Sequence, residues 1–371
     1  MITRVIISTT LWRLVGPAVL LSFACLAQAG SVVIGVDLGL SARSAASGQE
    51  VRRALQDYAQ LINQQGGVLP GRRLEFRFLD NRGVADRSLE NLRLLQSRSE
   101  IVAVIGGQEA TLVSGQLVLS KPLLLAFGLH AGRPASAGQA AAGSPSDLRS
   151  DLMVFHVTPP IAEQLAQILR EANGVRPGIT RIGLVTSSDG YGRLCQDALV
   201  ETLAQPLGLE LALAERLPAS GADFSGLWRA VGATKPDSLI WCASESQLSQ
   251  WAAQSVSKRL DRSAQFEPSA QQRRPITVYG LLTLGNPMAV SSLSPSQALQ
   301  LRWFVPRVSQ PKPQSPQYQF AYHLVGELVA AMRQASSLAA PDLVKALQAR
   351  ESLGLAVQMA GSPSLLIQGS Q

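Results

Sequence analysis

The chain has 371 residues, of which 46% are hydrophobic, 16% charged and 5% aromatic, with a formal net charge of +7. At about 150 residues per domain, this length predicts two domains, each large enough to bury its own core. The composition excludes a disordered chain, a disulfide-stapled miniprotein and a fibrous protein. The arginines that supply the charge are scattered, without a basic helix or interleaved aromatic residues, so no nucleic-acid partner is predicted.

The first 29 residues have the pattern of a cleavable export signal. Arg4 and Arg13 precede an apolar run over 14–26, and residues 27–29 (Ala-Gln-Ala) form a small-x-small cleavage motif. This run is shorter than the roughly 20 residues that span a membrane, so the mature chain is predicted to be periplasmic and not membrane-spanning. Cleavage removes two arginines and no acid, which lowers the formal charge from +7 to +5.

The three cysteines leave alternatives open. Cys25 offers a lipidated N-terminus instead of plain secretion, but the bulky Phe23 fits that motif poorly. The mature chain keeps Cys195 and Cys242, which can form a disulfide in an oxidising compartment or remain as two half-buried thiols in an α/β core. The sequence does not give their separation, so both states stay open.

In the first half, short apolar runs alternate with amphipathic stretches. A polar loop over 40–47 follows the first strand, and Gly66 and Gly67 end the first helix. An Ala-, Gly- and Ser-rich stretch over 131–150 is predicted to be a mobile surface loop. The predicted strands are 32–36, 74–79, 101–105 and 123–127, and the predicted helices are 49–63, one around 89–95 and one that begins near 108.

A second α/β series is predicted from Val154 onward, with a polar loop over 258–274, a Pro-rich linker over 309–317 and a poorly patterned tail over 352–371. Near-continuous Val, Ile and Leu strands between helices indicate parallel sheets covered on both faces, with ligand-ready loops at the strand ends. The predicted strands are 182–185, 209–214, 238–241, 276–279 and 301–305, and the predicted helices are 161–171, 192–203, 224–231, 247–255, 318–335 and 341–349.

Three segments carry a family resemblance. Residues 61–83, LINQQGGVLPGRRLEFRFLDNRG, combine a helix that ends in Gly-Gly, a Gly-Arg turn, a strand and an Asp-Asn pair. Together with 33–56 and 102–128, this segment resembles the type 1 periplasmic binding proteins, in the branched-chain amino-acid-binding branch that serves ABC importers. The second half follows the same pattern more loosely, through 155–160 (FHVTPP) and 182–192 (IGLVTSSDGYG).

The resemblance implies an α/β fold of two Rossmann-like lobes, each a doubly wound parallel sheet, joined by a hinge of three crossovers near residues 154, 309 and 352. The implied division is a signal peptide over 1–29, a first lobe over 30–154 plus 310–352, and a second lobe over 155–309 plus 353–371.

The resemblance also implies a ligand site where strand ends and helix N-termini of both lobes converge. Free N–H groups at a helix N-terminus suit a carboxylate, and Thr111 adds a hydroxyl donor. Tyr191 is the best-retained position, suited to stacking or to a hydroxyl contact. The implied ligand-binding residues are Gln108, Glu109, Ala110, Thr111, Leu129, His130, Tyr191, Ser244, Glu245 and Leu281.

This sequence departs from the family's amino-acid site in three places. His130 stands where a hydroxyl is expected, and Ile161 and Leu281 stand where acids would pair with a ligand ammonium group. Burying an ammonium group without a carboxylate costs several kcal/mol, so we expect a ligand other than a standard free amino acid. Glu109 or Glu245 could compensate.

Several candidates also have a purely structural interpretation. His130 fits a partly solvated loop histidine as well as a ligand contact. Glu109 fits an acid favoured by the helix dipole. Trp241 and Trp251 are interpreted as core or groove-wall residues instead of stacking platforms.

The sequence does not predict an enzyme. Residues 190–195 (GYGRLC) nearly match a dinucleotide-binding glycine loop, but Cys195 replaces the third glycine. No phosphate-binding loop, serine elbow or zinc-protease motif occurs, and His130, His156 and His323 lack metal-ligand spacing. We therefore expect no cofactor and no metal.

The function expected from the resemblance is capture of a small molecule in the cleft between the lobes. Closure on the ligand would change the surface seen by a partner. In the leading interpretation, that partner is an ABC permease that receives the ligand. The alternative is a sensor that reports to a membrane kinase or a periplasmic enzyme without transport; a third is a scaffold that binds only protein.

Overall fold

The predicted signal peptide with Cys25, the Ala-rich loop beyond residue 131 and most of the Pro-rich linker lie outside the described residues. The computed structural model describes residues 30–41, 45–131, 153–175, 181–203, 209–218, 224–261, 276–281, 299–306, 315–350 and 357–361.

The first lobe is built on a five-stranded parallel sheet. Strand β1 is buried along almost its whole length, because helices cover both faces of the sheet. The strands are β1 (Val32–Leu38), β2 (Leu74–Asp80), β3 (Ile101–Gly106), β4 (Leu123–Leu125) and β5 (Val154–His156), in the order β2-β1-β3-β4-β5. The connecting helices are α1 (Ala45–Gln64), α2 (Ala85–Ser97) and α3 (Gln108–Val113).

The second lobe is built on a six-stranded sheet, parallel except for its last strand. Its strands are β6 (Arg181–Ser187), β7 (Glu210–Leu217), β8 (Ser238–Cys242), β9 (Ile276–Gly280), β10 (Leu299–Pro306) and β11 (Val357–Gly361), in the order β11-β10-β9-β8-β6-β7. Its helices are α4 (Ile161–Val175), α5 (Gly190–Leu203), α6 (Ser225–Thr234) and α7 (Glu245–Asp261).

Helices α8 (Pro316–Ala335) and α9 (Ala340–Gln348) bring the chain back to the first lobe. Helix α8 packs along α1, where the Tyr58 and Tyr322 rings meet edge to face at 5.0 Å between centroids. The Tyr318 hydroxyl donates to Asp57 Oδ2 at 2.9 Å. The chain then crosses to the second sheet again to form β11. The predicted two-lobed α/β fold is thus confirmed.

Several element boundaries differ from the sequence prediction. Helix α1 begins at Ala45, inside the predicted loop over 40–47, and α7 continues to Asp261, inside the predicted loop over 258–274. Strand β5 pairs with β4, so Phe155 and His156 belong to the first sheet and not to the second α/β series. The tail over 352–371, which is poorly patterned in sequence, contains β11, an antiparallel edge strand on β10.

Tertiary contacts explain the early start of α1. A Cβ atom at Gly48 would overlap the carbonyl oxygen of Gly39, so the first turn lies directly on the loop that follows β1. The helical periodicity of the sequence begins only after this turn. Among the described residues, no helix is long and apolar enough to cross a membrane.

Candidate functional site

The first-lobe candidates all follow the carboxyl ends of β3 and β4. Gln108 to Thr111 form the start of α3, directly after β3 and Gly107. The Gly107 amide donates to the carbonyl oxygen of Asp37 at the end of β1, at 3.0 Å. Leu129 and His130 lie in the segment after β4. The topology therefore brings these residues to one edge of the first sheet.

The second-lobe candidates occupy the equivalent edge of the other sheet. Tyr191 is the second residue of α5, after β6, and Leu281 directly follows β9. Ser244 precedes α7, where its hydroxyl accepts from the Gln247 amide at 3.3 Å and donates to Gln247 Oε1 at 2.9 Å. This is a helix capping arrangement. Glu245 opens α7, but its side chain is outside the described part of the molecule.

Most of these side chains are buried. Tyr191 is 4% exposed, Glu109 8% and His130 9%, and Ala110, Leu129 and Leu281 are fully covered. Ala110 and Leu129 of the first lobe belong to the same continuous cluster of buried side chains as Tyr191 of the second. The buried cores of the two lobes are therefore continuous, and Tyr191 is covered in this conformation.

Tyr191 is a buried polar residue at the carboxyl edge of the second sheet. Its hydroxyl is buried and has no hydrogen-bond partner among the residues that the structure describes. Burial raises the pKa of Tyr191 well above its usual value, and the nearby carboxylates of Asp189 and Glu109 raise this pKa further. Because Glu109 belongs to the first lobe, its electrostatic effect on Tyr191 acts across the junction between the lobes.

His130 is held by the crossover between the lobes. Its Nε2 atom hydrogen-bonds the Thr158 carbonyl oxygen at 2.8 Å, and its own carbonyl accepts from the Ile161 amide at 2.9 Å. Its ring stacks on His156, with centroids 3.7 Å apart. Burial lowers the pKa of His130. The interpretation as a partly solvated loop histidine is wrong, because β5 and the crossover cover the ring.

The two mature cysteines are joined in the second lobe. Cys195 of α5 and Cys242 of β8 form a disulfide, with Cα atoms 6.3 Å apart and a sequence separation of 47. Both residues are fully buried. The bond connects the helix that carries Tyr191 to the strand that precedes Ser244.

The tryptophans lie in the core of the second lobe. Trp251 stacks on Trp228 at 4.4 Å and on Trp241 at 5.4 Å between centroids. Trp241 also donates from Nε1 to the Ser244 carbonyl oxygen, at 3.2 Å. Trp241 and Trp251 are therefore buried scaffold residues, and the stack supports the turn that bears Ser244.

Sequence reasoning missed Asp37, a fully buried acid near the carboxyl end of β1. It accepts hydrogen bonds from Asn81 Nδ2 at 3.0 Å, from Asn91 Nδ2 at 2.8 Å and from the Ser88 hydroxyl. Burial raises the pKa of Asp37 to about 6 despite these bonds, with a small further contribution from Glu109. The signal was an acid inside the buried run VVIGVDL, and its partners are too distant in sequence to identify.

Two cavities lie away from these strand ends. One, of about 250 Å³, lies between α4 and α5 and is lined by residues that include Ala166, Leu169, Arg170 and Glu201. The other lies on the surface beside Gln60 and Arg73. Among the described residues, no group of His, Cys, Asp or Glu has the arrangement of a metal site.

Two α/β sheets joined by a crossover, each with candidate ligand residues at its carboxyl edge, define a bilobal ligand-binding protein. The periplasmic binding protein family model matches residues 31–360, and the chain belongs to that family. It is thus a binding protein and not an enzyme, as expected. A search of curated proteins finds no match.

Solved structures share the fold over most of the chain. A type 1 periplasmic binding protein from Bordetella pertussis Tohama I is 14% identical, with a TM-score of 0.67, over 90% of this chain and 100% of that one. The leucine-binding protein LivK from Thermotoga maritima is 14% identical, with a TM-score of 0.65, over 87% and 90%. A solute-binding protein of an ABC transporter from Rhodopseudomonas palustris BisB5, in complex with 3,4-dihydroxybenzoic acid, is 14% identical, with a TM-score of 0.67, over 89% and 93%. The fold is therefore that of the type 1 periplasmic binding proteins.

Proposed function

We propose that this protein captures a small molecule between its lobes in the periplasm and presents it to an ABC permease. The observation that carries the proposal is Tyr191 at the carboxyl edge of the second sheet. Its buried hydroxyl has no hydrogen-bond partner among the described residues, and the Glu109 carboxylate of the opposite lobe raises its pKa. A buried hydroxyl without a hydrogen bond is unfavourable, and a ligand polar group that bonds it would stabilise the closed form. The family membership and the similar solute-binding proteins support the same function.

Ligand entry requires the lobes to separate, because Tyr191 and Leu281 are buried in the closed form. The ligand binds the open form, contacts both lobes and shifts the population toward closure. The permease then recognises the closed surface. The hinge includes the crossover over 157–160, which His130 binds from the first lobe.

The surroundings of Tyr191 favour a ligand other than a standard free amino acid. Ala110, Leu129, Ile161 and Leu281 are apolar and buried at or beside this junction. An ammonium group there would be desolvated without the acids that Ile161 and Leu281 replace, at a cost of several kcal/mol. One of the similar structures is a leucine-binding protein and another is a complex with 3,4-dihydroxybenzoic acid, so ligands outside the amino acids are compatible with the fold.

The test is a thermal-shift screen of the protein from Gly30 onward against amino acids, aromatic acids, fatty acids and neutral metabolites. A ligand at one hundred times its dissociation constant adds about 2.7 kcal/mol to the stability, which raises the melting temperature measurably. We expect a ligand outside the standard amino acids. A screen in which no compound raises the melting temperature would contradict capture, and a free amino acid as the tightest ligand would contradict the proposed ligand class.

A matched pair of variants tests the location. Tyr191→Phe removes the buried hydroxyl, so we expect the ligand identified in the screen to bind about tenfold more weakly. Tyr318→Phe removes a hydroxyl that bonds Asp57 in the first lobe, and it leaves the ligand affinity unchanged. Equal affinities for Tyr191→Phe and the wild type would place the ligand elsewhere.

Sensing is the alternative, favoured by the departures from an amino-acid site at Ile161 and Leu281. Uptake of the labelled ligand by cells that lack this protein distinguishes the two functions. Loss of uptake supports presentation to a permease. Unchanged uptake combined with a lost transcriptional or enzymatic response to the ligand supports sensing.

A further inference from the structure

We propose that the Cys195–Cys242 disulfide is a positioning device that holds Tyr191 at the junction between the lobes. The inference rests on the proposed function, because it assigns a role within the same ligand site. The geometry of the second-lobe half of the site thereby depends on cysteine oxidation.

The disulfide is attached to the same helix that carries Tyr191. Tyr191 and Cys195 are four residues apart in one helix, so they lie on the same face, one turn from each other. Cys242 is the last residue of β8 and pairs in register with Thr186 of β6. The disulfide therefore joins α5 to the sheet about one helical turn behind the Tyr191 side chain.

The first turn of α5, which carries Tyr191, is closely packed. A Cβ atom at Gly192 would overlap the carbonyl oxygen of Ser187, so this turn lies directly against the end of β6. Asp189 Oδ1 accepts from the Gly192 amide at 3.1 Å and from the Ser187 hydroxyl at 2.6 Å. The cap fixes one end of the turn, and the disulfide fixes the other.

On the strand side, the disulfide lies next to Ser244 in sequence. Cys242 is followed within two residues by Ser244, which caps α7 through Gln247 and accepts a hydrogen bond from Trp241. The disulfide thus joins Tyr191 and Ser244, two of the candidate ligand contacts, in one covalently connected unit. Neither contact has to be ordered by the ligand, which favours tighter binding.

The Tyr191 hydroxyl is unfavourably placed in the ligand-free protein. Because this hydroxyl is buried without a hydrogen-bond partner in the described part of the chain, outward movement of α5 would let water hydrate it. The covalent bond to β8 opposes that movement. The disulfide therefore keeps Tyr191 in a position that is unfavourable without a ligand and favourable with one.

Nitration by tetranitromethane, mapped by mass spectrometry, tests this role without any ligand. The reagent modifies accessible tyrosines, and Tyr191 and the buried Tyr279 of β9 are compared in the same lobe. In the wild type both resist. In the Cys195→Ala/Cys242→Ala variant we expect Tyr191 to react about tenfold faster, with Tyr279 unchanged, because only local opening becomes more frequent.

Two results would overturn the inference. If Tyr191 stays protected in the variant, the disulfide does not hold it. If Tyr191 and Tyr279 become reactive together, the bond stabilises the whole lobe and has no specific positioning role. Should the double variant fail to fold, amide hydrogen exchange over 190–195 and over 276–280 is compared between the oxidised wild type and the wild type reduced by a phosphine. Since no ligand is used, this experiment and the ligand screen fail independently of each other.

Discussion

The imidazole rings of His130 and His156 stack face to face, 3.7 Å apart between centroids and inclined by 19°. His156 ends the last strand of the first sheet, and His130 binds the crossover that leaves it. The histidine pair therefore lies at the point where the chain leaves the first lobe for the second. Burial lowers the pKa of both rings, and the neighbouring His130 lowers that of His156 further.

Acid should weaken this protein through His156. Burial lowers the pKa of His156 to about 3, from 6.5, and the neighbouring His130 lowers it as well. A pKa below that of the unfolded chain means that the stabilisation is full above pH 6.5 and is lost as the pH falls toward 3. Between pH 7 and pH 5, the wild type should lose about 2 kcal/mol more stability than His156→Gln.

Urea unfolding at pH 7, 6 and 5 measures this difference. His323→Gln, on α8 and outside the stacked pair, is the control and should follow the wild type. Parallel pH profiles for the wild type and His156→Gln would show that the stacked ring is not a source of acid sensitivity.

Asp37 should act in the opposite direction. Burial raises the pKa of its carboxyl group to about 6, from 3.8, so its stabilising contribution is full below pH 3.8 and is lost as the pH rises through 6. Asp37→Asn removes this titration. Between pH 5 and pH 7, the stability of the wild type should therefore fall by about 1 kcal/mol relative to Asp37→Asn.

The same urea experiment serves for Asp37, with Asp86→Asn in the first turn of α2 as an exposed control. A constant difference between Asp37→Asn and the wild type across this pH range would mean that the carboxyl group has an ordinary pKa.

Tyr191→Phe should stabilise the ligand-free protein. The substitution removes a buried hydroxyl that has no hydrogen-bond partner within the described ranges, which we expect to raise the free energy of unfolding by about 1 kcal/mol. Tyr318→Phe loses a hydrogen bond to Asp57 and should be destabilised by a similar amount. Calorimetry of the two variants without ligand checks the prediction, and a loss of stability in Tyr191→Phe would show that its hydroxyl is satisfied in the fold.

Two glycines at the start of α5 should differ sharply in their tolerance of alanine. At Gly192 a Cβ atom overlaps the Ser187 carbonyl oxygen, so Gly192→Ala should cost about 2–3 kcal/mol. At Gly190 the nearest atom to a Cβ is the flexible end of Arg193, at 3.6 Å, so Gly190→Ala should change the stability by less than about 0.5 kcal/mol. Thermal melting of the two variants makes the comparison, and similar losses in both would refute the close seating of α5.

The buried strands were predictable because a continuous apolar run is itself the signal of a strand covered on both faces. The runs over 32–36 and 101–105 are apolar on both faces, and the observed strands β1 and β3 extend them by only one or two residues. Strand β11 was not predictable, since the strand it pairs with is β10, about 55 residues earlier in the chain. An edge strand formed by a distant pairing leaves little local periodicity.

The candidate site shows the same division. The positions of Tyr191 and Ser244 after β6 and β8 follow from the order of elements along the chain. The burial of His130 beneath His156 does not, because it depends on β5 joining the first sheet. The role of Asp37 was hidden for a similar reason, since Ser88 and Asn91 reach it from a helix about 50 residues further along.

The described chain starts in one sheet and finishes in the other, with β1 in the first lobe and β11 in the second. Fluorescent dyes attached just before Val32 and just after Gly361 would therefore label different lobes. Energy transfer between them would report each opening and closing event directly, in single molecules and without any engineered insertion.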